Sequence, residues 1–354
     1  MKALILCGGT GSRLQPITFT KAKQLIPVAN KPVIYYAIEA MAKTGISEIG
    51  IIVGDVKSEV IQHVGNGRQW GVNISYIVQQ EPLGLAHAVK VAQPFLKEED
   101  FLMFLGDNLI WDGLERFIDQ FYNKKMNALV VLSKVNDPQK YGVAVLENGD
   151  IVELVEKPKK YVSDMAIVGL YIFDKNIFSA IESIKPSWRN ELEITDAIQE
   201  MVKRGYKVGY SELEKWWKDT GNPRDILEAN QRMLDDISSR NDGIVDQHSV
   251  LQGKVIIGKD TKVVNSMIRG PAAIGEKNTI RDAYVGPYTA IDRECTIESA
   301  EVENSIIMEN CAIINIKSRI SDSLIGSNVE IISNDELPAT ASFVIGDKCK
   351  IKIK

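Results

Sequence analysis

Histidine occurs only three times in the 354 residues, at positions 63, 87 and 248, and cysteine only four times, at 7, 295, 311 and 349. No CxxC pair is present and no cysteine and histidine spacing suits a metal, so a zinc ribbon or a disulfide scaffold is excluded and a reducing, cytoplasmic setting is expected. Long apolar runs are missing as well. The longest are stretches such as Ala128 to Leu132, far below the 18 or so residues of a membrane helix, so no membrane partner is expected. The opening MKALILCGG is too short for a signal-peptide core and predicts a buried first strand. There is no basic surplus: 42 Lys and Arg stand against 47 Asp and Glu, a net charge of -5. A broad nucleic-acid face is therefore excluded, and any bound phosphate must be held by a few local groups.

Hydrophobic residues make up 45% and charged residues 25%, ordinary globular usage that excludes disordered, collagen-like and coiled-coil classes. The length predicts two domains at roughly 150 residues each, and two patterns divide the chain. Up to about residue 235, short apolar runs (Lys2 to Leu6, Glu48 to Val53, Ile74 to Val78, Phe101 to Leu105, Asn127 to Leu132) alternate with amphipathic stretches (Val33 to Thr44, Ser58 to Val64, Gly84 to Gln93). That alternation predicts an α/β domain with a Rossmann-like, mostly parallel sheet covered on both faces. Ligands of such sheets sit beyond the carboxyl ends of the strands. After the turn Gly221-Asn222-Pro223, Leu227 to Ile237 predicts a helix, and Ser238 to Gly243 a polar boundary.

Beyond about residue 243 single aliphatic residues recur at steps of five or six: Ile257, Val263, Ile268, Ile274, Ile280, Val285, Ile291, Ile297, Val302, Ile307 and Ile313. NSMIRGPAAI from Asn265, DAYVGPYTAI from Asp282, NSIIMENCAI from Asn304 and SDSLIGSNVEI from Ser321 align as repeats of about 17 residues. The pattern predicts a β-helix of triangular coils, with these aliphatics stacked inward. The boundaries expected are 1–240 for the first domain and 241–354 for the second. Lys348, Lys350, Lys352 and Lys354 alternate at the end, and are expected to guard the open edge of a last coil against pairing.

The first loop, Gly8-Gly9-Thr10-Gly11-Ser12-Arg13-Leu14, follows the first strand. Its glycines allow backbone N–H groups to approach phosphate oxygens. The third glycine of a dinucleotide fingerprint and the GK[ST] of a P-loop are both absent; an arginine within the loop stands instead. Lys21-Ala22-Lys23-Gln24-Leu25-Ile26-Pro27-Val28 follows closely, with Lys23 before an apolar segment.

LCGGTGSRLQPIT and KAKQLIPVANKPVIYYAIE resemble the signature of the sugar-phosphate nucleotidylyltransferases, and within them the glucose-1-phosphate thymidylyltransferases whose long form carries a left-handed β-helix. The resemblance spans both halves. It implies that Gly8, Gly9 and Gly11 cradle the triphosphate, that Arg13 and Lys23 grip it, and that Gln79 and Gly84 meet the pyrimidine edge. It implies Asp107, in Leu105-Gly106-Asp107-Asn108, and Asp219 as Mg²⁺ ligands, with Arg13, Lys23 and Asp107 catalytic. Two carboxylates plus phosphate oxygens suit Mg²⁺, which is seldom caged by protein alone. The sugar phosphate is assigned to Tyr141, Gly142, Glu156, Lys157 and Tyr171, with Glu156 accepting from sugar hydroxyls and Lys157 neutralising phosphate. Trp216 and Trp217 are read as packing residues.

The implied reaction is attack of a sugar 1-phosphate oxygen on the α-phosphorus of dTTP. His87 stands in GLAHA, where the thymidylyl enzymes more often have glutamine and uridylyl relatives histidine, so UTP stays open as the donor. A non-catalytic nucleotide-sugar sensor of the same fold would be expected to lose Arg13, Lys23 or Asp107, all of which are present. A structural β-helix scaffold would not need Glu156-Lys157 or Asp219. Some relatives use the β-helix as an acyltransferase; here His248 lies outside the inward register, so assembly into a homo-oligomer or regulation is expected instead.

Overall fold

The structure is a computed structural model and describes residues 1–54, 57–333 and 342–352. The chain forms two compact units that are not two contiguous stretches: Met1–Thr10, Ala22–Leu25 and Val33–Asp219 in the first, and Gly11–Lys21, Ile26–Pro32 and Thr220–Lys354 in the second.

The first unit is built on a nine-stranded sheet. Its strands are β1 (Lys2–Leu6), β2 (Glu48–Val53), β3 (Asn73–Val78), β4 (Phe101–Leu105), β6 (Ala128–Lys134), β7 (Gly142–Glu147), β8 (Asp150–Glu156), β9 (Met165–Phe173) and β10 (Val208–Glu212); the short β5 (Asn108–Ile110) and β11 (Trp217–Asp219) pair beside it. The five apolar runs all become strands. Strands β3, β2, β1 and β4 lie side by side in parallel, as the alternating pattern predicts. The other half is mixed: β9 runs antiparallel to β4, β6 and β7, and β8 antiparallel to β7, while β10 runs parallel to β6. Only Asn148 and Gly149 join β7 to β8, so that pair turns back as a hairpin, a connection open to antiparallel strands and not to parallel ones.

Both faces of β1 are buried, and its side chains divide by the period of two. Leu4 and Leu6 join one core with Ile52, Phe101, Met103 and Val130, beneath helices Leu85–Val91, Asn176–Ser183 and Ile194–Lys203. Ala3 and Ile5 join the other with Ile49, Ile51, Leu102 and Phe104, beneath helices Val33–Lys43, Lys57–Val64 and Glu115–Asn123.

In the second unit the coils form three parallel sheets of six, six and five short strands, the β-helix expected from the repeat and, as the resemblance implies, of the left-handed kind. Ile257, Ile274, Ile291 and Ile307 stack in one sheet, Val263, Ile280, Ile297 and Ile313 in the next, and Ile268, Val285 and Val302 in the third. None of these is more than 1% exposed. Between residues 260 and 328 the positive-φ non-glycine positions include Asp260, Asn265, Asp282, Asn304, Asn310, Asn315, Asp322 and Asn328, residue types that tolerate the left-handed conformation at a coil corner. A second ladder runs inside. Thr261 Oγ1 accepts from Asn278 N at 2.9 Å, Asn278 Oδ1 accepts from Cys295 N at 2.6 Å, and Cys295 Sγ accepts from Cys311 N at 3.5 Å. Two of the four cysteines therefore serve as rungs.

The connecting helix spans Pro223–Asp235, with Asn222 as N-cap accepting from Asp225 N at 3.1 Å. It begins before Leu227 because proline is compatible with the first helical turn and the Asn-Pro pair starts the helix. Its Asn230, fully buried, accepts from Ala29 N at 2.8 Å and donates to Tyr288 O at 2.9 Å. Asn30 donates to Ala273 O at 3.0 Å and Ile291 O at 2.7 Å. The segment 26–32 is thus bound to the helix and coils of its own unit. The expected polar boundary already contains the first short coil strand, Arg240–Asn241. Residues 342–352 form no strand, so Lys348, Lys350 and Lys352 do not guard an edge there; the last strand described is Glu330–Ile332. Lys354 lies outside the described residues.

Candidate active site

The carboxyl end of β4 leads directly to Asp107, and the loop after β1 to Gly8 and Gly9, because β1 and β4 are paired in parallel with Leu6 opposite Leu105. Lys23 enters between them: its Nζ makes a close ion pair with Asp107 Oδ2, and a Cβ placed on Gly9 would lie 3.0 Å from that nitrogen. Asp219 reaches the same place by strand pairing, since β11 runs antiparallel to β5 with Asp219 opposite Asn108. Trp217 Nε1 donates to Asn108 Oδ1 at 2.7 Å and its ring meets Tyr141 edge-on, with centroids 5.4 Å apart. Trp217 therefore packs, as read from the sequence, and also ties the Asp107 loop to the Tyr141 loop.

Burial by itself would lower the Lys23 ammonium, but the charge and hydrogen bond of Asp107, with the charge of Asp219, raise it above the ordinary lysine value. Lys23 is a fixed cation here. Cys7, buried behind it, is pushed well above the ordinary thiol range by burial and then by Asp107, against the pull of Lys23. Its thiol is inert as a nucleophile. Gln24, the neighbour of Lys23, is fully buried and neither of its amide atoms is hydrogen-bonded among the described residues. Buried polar groups in this state are rare in native proteins. Nothing in the sequence around Gln24 signals a role for it.

A second cluster of polar groups forms where β3 ends. Gln79 Nε2 donates to Gly84 O at 3.2 Å and contacts His87 Nδ1 at 3.0 Å. Gly84 has φ +105 and a Cβ there would fall 2.4 Å from Leu192 O, so only glycine fits. Leu192 N donates to Leu83 O at 2.7 Å and Ala86 N to Leu192 O at 3.0 Å. These bonds bind the Gln79 loop to the segment 187–195.

That segment contributes to a third cluster, around Glu156. Gly142 is paired with Glu156 across β7 and β8. Thr195 Oγ1 donates to Glu156 Oε2 at 3.4 Å, and Arg189 Nη1 stands 3.5 Å from Glu156 Oε1 and 3.3 Å from Glu193 Oε1. Lys157 Nζ is 3.8 Å from Glu156 Oε1. Burial, then the charge of Glu193, raises the Glu156 carboxyl above its ordinary range, with Lys157, Arg189 and Thr195 opposing. The Tyr171 hydroxyl is likewise pushed up by burial and by Glu156. Gly169, with φ +79, interrupts the pairing of β9 with β6 between Ile167 and Tyr171, which lets β9 approach Leu105 and Asn108. Arg189, Glu193 and Thr195 were missed by sequence reading, although the charge-dense Arg189-Asn190-Glu191-Leu192-Glu193 was a signal.

The first unit therefore brings together Gly8, Gly9, Lys23, Gln79, Gly84, Asp107, Tyr141, Gly142, Glu156, Lys157, Tyr171 and Asp219. Gly11 and Arg13 fall in the second unit, Arg13 exposed in the turn Ser12–Leu14. Among the described residues no three His, Cys, Asp or Glu side chains are grouped to hold a metal. Asp107 and Asp219 bring carboxylate charge to one ammonium, and hard oxygen donors of this type suit a divalent cation.

The profile of the nucleotidyl transferase family matches residues 2–236. A glucose-1-phosphate thymidylyltransferase of Streptomyces antibioticus is 46% identical over 356 residues, covering 100% of both chains. A protein of the same name from Streptomyces griseus is 44% identical over 354 residues, covering 100% of this chain and 99% of that one. Among solved structures, a Bacillus anthracis chain assigned as a glucose-1-phosphate thymidylyltransferase, with sucrose bound, is 39% identical with a TM-score of 0.63, over 68% of this chain and 98% of that one.

Proposed function

The chain belongs to the nucleotidyl transferase family, and on that premise we propose that it transfers a thymidylyl group from dTTP to glucose 1-phosphate, giving dTDP-glucose and pyrophosphate. The observation that carries this reading is the Lys23 and Asp107 ion pair, set in the same unit as an amide that can meet a base and a carboxylate pocket that can meet a sugar.

In this reading Lys23 turns from Asp107 to the triphosphate, with Arg13 and the N–H groups of Gly8, Gly9 and Gly11. Gln79 and Gly84 hold the pyrimidine. Glu156 accepts from sugar hydroxyls, Lys157 neutralises the sugar phosphate, and Tyr141, Gly142 and Tyr171 shape the pocket. The phosphate oxygen that attacks is already ionised near neutral pH, so no general base is needed. Positioning and charge stabilisation dominate, as in other phosphoryl transfers. Asp107 and Asp219 would hold a Mg²⁺ ion, which when bound would supply positive charge to the phosphate oxygens. The reaction is assigned to residues 1–240, and the β-helix of 241–354 to assembly of a cytoplasmic homo-oligomer, which light scattering of the purified chain tests.

The test is pyrophosphate release across dTTP, UTP, dCTP, ATP and GTP with a panel of sugar 1-phosphates and Mg²⁺. Release with dTTP and glucose 1-phosphate is expected. Release with no pair overturns the enzyme reading, and preference for a purine triphosphate overturns the role of Gln79. UTP is the second donor this pocket supports, because one methyl in an apolar pocket changes binding by only about 1 to 3 kcal/mol.

A further inference from the structure

We propose that His87 is a positioning residue that fixes the Gln79 amide so that it accepts pyrimidines carrying a ring N–H and rejects cytosine, an inference resting on the nucleotidyl transfer reading above. Gln79 is 7% exposed, and the amide group that faces Gly84 O at 3.2 Å must be its NH₂ end, because a carbonyl oxygen can only accept. That NH₂ has a second hydrogen, and the nearest group for it is His87 Nδ1 at 3.0 Å. Nδ1 is therefore the lone-pair nitrogen of the ring, and the imidazole proton sits on Nε2.

Two acceptors on one side leave the amide a single orientation. Turning it by half a rotation would set Oε1 against both the Gly84 carbonyl and the Nδ1 lone pair. With Gly84 alone, one repulsion opposes the turn; His87 adds the second.

The consequence lies at the other end of the amide. A Cβ on Gly8 would lie 2.9 Å from Gln79 Oε1, so the absent side chain at position 8 keeps open the space in front of that oxygen. Both amide hydrogens are engaged, so a base edge entering there meets an acceptor. Thymine and uracil present an N–H at N3. Cytosine presents a lone pair at the same atom and would face Oε1 with nothing to donate. A site built for a hydrogen bond rejects an analogue lacking it far more strongly than a pocket reads a methyl group. His87 therefore bears on the choice between thymine or uracil and cytosine, and not on the choice between thymine and uracil.

The experiment measures steady-state kinetics with glucose 1-phosphate, Mg²⁺ and dTTP, UTP or dCTP, and calorimetric binding of dTTP and dCTP, for wild type, His87→Leu, His87→Asn and Gln79→Glu. Loss of one such hydrogen bond predicts for His87→Leu a KM for dTTP raised about tenfold or more with kcat within about twofold, and a dTTP to dCTP preference reduced by a similar factor. His87→Asn, which returns an acceptor near the position of Nδ1, recovers both. Gln79→Glu, which sets an oxygen against Gly84 O and Nδ1, loses dTTP binding without any change at His87, so the inference stays testable if His87→Leu fails to fold. An unchanged KM and preference in His87→Leu overturns it. Equal losses of kcat and KM in His87→Leu and His87→Asn overturn it too, as a packing role would give. A wild type that binds dTTP over dCTP yet transfers nothing overturns the reaction and leaves the role of His87 standing.

Discussion

The Lys23 ammonium lies directly against the Asp107 carboxylate, with the charge of Asp219 acting on the same nitrogen. A lysine so paired is held at the mouth of the glycine loop, and the Asp107 carboxylate favours its charged form. Removing one preorganised charge contact from a phosphoryl-transfer site costs about 10² or more in turnover. Lys23→Ala, Asp107→Ala and Arg13→Ala are each expected to lose kcat on that scale. Because Lys23 and Asp107 meet, their double variant should lose less than the product of the two single losses. Near-normal turnover of any single variant with Mg²⁺ present would remove that residue from the site.

Glu156 makes a pH-dependent prediction. Its carboxyl is raised by burial and by Glu193, so the folded protein binds this proton more tightly than the unfolded chain does. The favourable contribution of that proton is present below the unfolded carboxyl range and is lost as pH rises through the raised value. Glu156→Gln removes the buried charge. It is expected to melt higher than wild type at neutral pH, with the difference fading as pH falls below the ordinary carboxylate range. The same change should raise KM for glucose 1-phosphate by roughly 10-fold or more, since a hydrogen bond to a charged acceptor is lost. Thermal melts from pH 4 to 8 and sugar-phosphate kinetics check the two halves separately.

Gly84→Ala is expected to raise the KM for the nucleotide. The residue has φ +105 and its new Cβ would strike Leu192 O at 2.4 Å, so the loop must move, and a strained position of this kind costs about 1–3 kcal/mol. The displaced loop carries the acceptor that orients Gln79. A crystal structure or nucleotide titration showing the loop and affinity unchanged would contradict this.

The interior ladder of the β-helix should respond to single deletions. Asn278 is 1% exposed, donates to Asp292 O at 2.7 Å and accepts from Cys295 N at 2.6 Å. Asn278→Ala leaves a buried carbonyl and a buried N–H unpaired, at about 1–3 kcal/mol for each such group. Ile280→Ala, in the fully buried aliphatic stack, should cost about 2–5 kcal/mol. Denaturant unfolding reads both; a change below about 0.5 kcal/mol, the scale of a surface substitution, would contradict the stacking.

Much of the fold was legible because its signals are local. Stepwise spacing of aliphatics can only be satisfied by stacked coils, and Ile257 through Ile313 indeed form the buried columns. Strands β1, β2 and β4 read directly because each is a continuous apolar run bounded by turns, as strands buried on both faces must be. The antiparallel strands of the sheet did not read, since strand direction is set by the length of connection and by partners distant in sequence. Lys348, Lys350 and Lys352 misled for a related reason: alternation permits a strand, but a strand also needs a neighbour to pair with.

The candidate site divides in the same way. Sequence determined which residue types were available: a glycine loop followed by Arg13 and Lys23, a carboxylate at the end of an apolar strand, and an amide before Gly84. Tertiary structure decided which of them meet. Asp219 stands beside Asp107 only because Trp217–Asp219 pairs with Asn108–Ile110, and Arg189 reaches Glu156 only because Leu192 is bonded to Leu83 and Ala86. The orientation of the Gln79 amide was likewise absent from the sequence. It is set by two lone pairs, on Gly84 and His87, and the direction of a lone pair exists only once the backbone that carries it has folded.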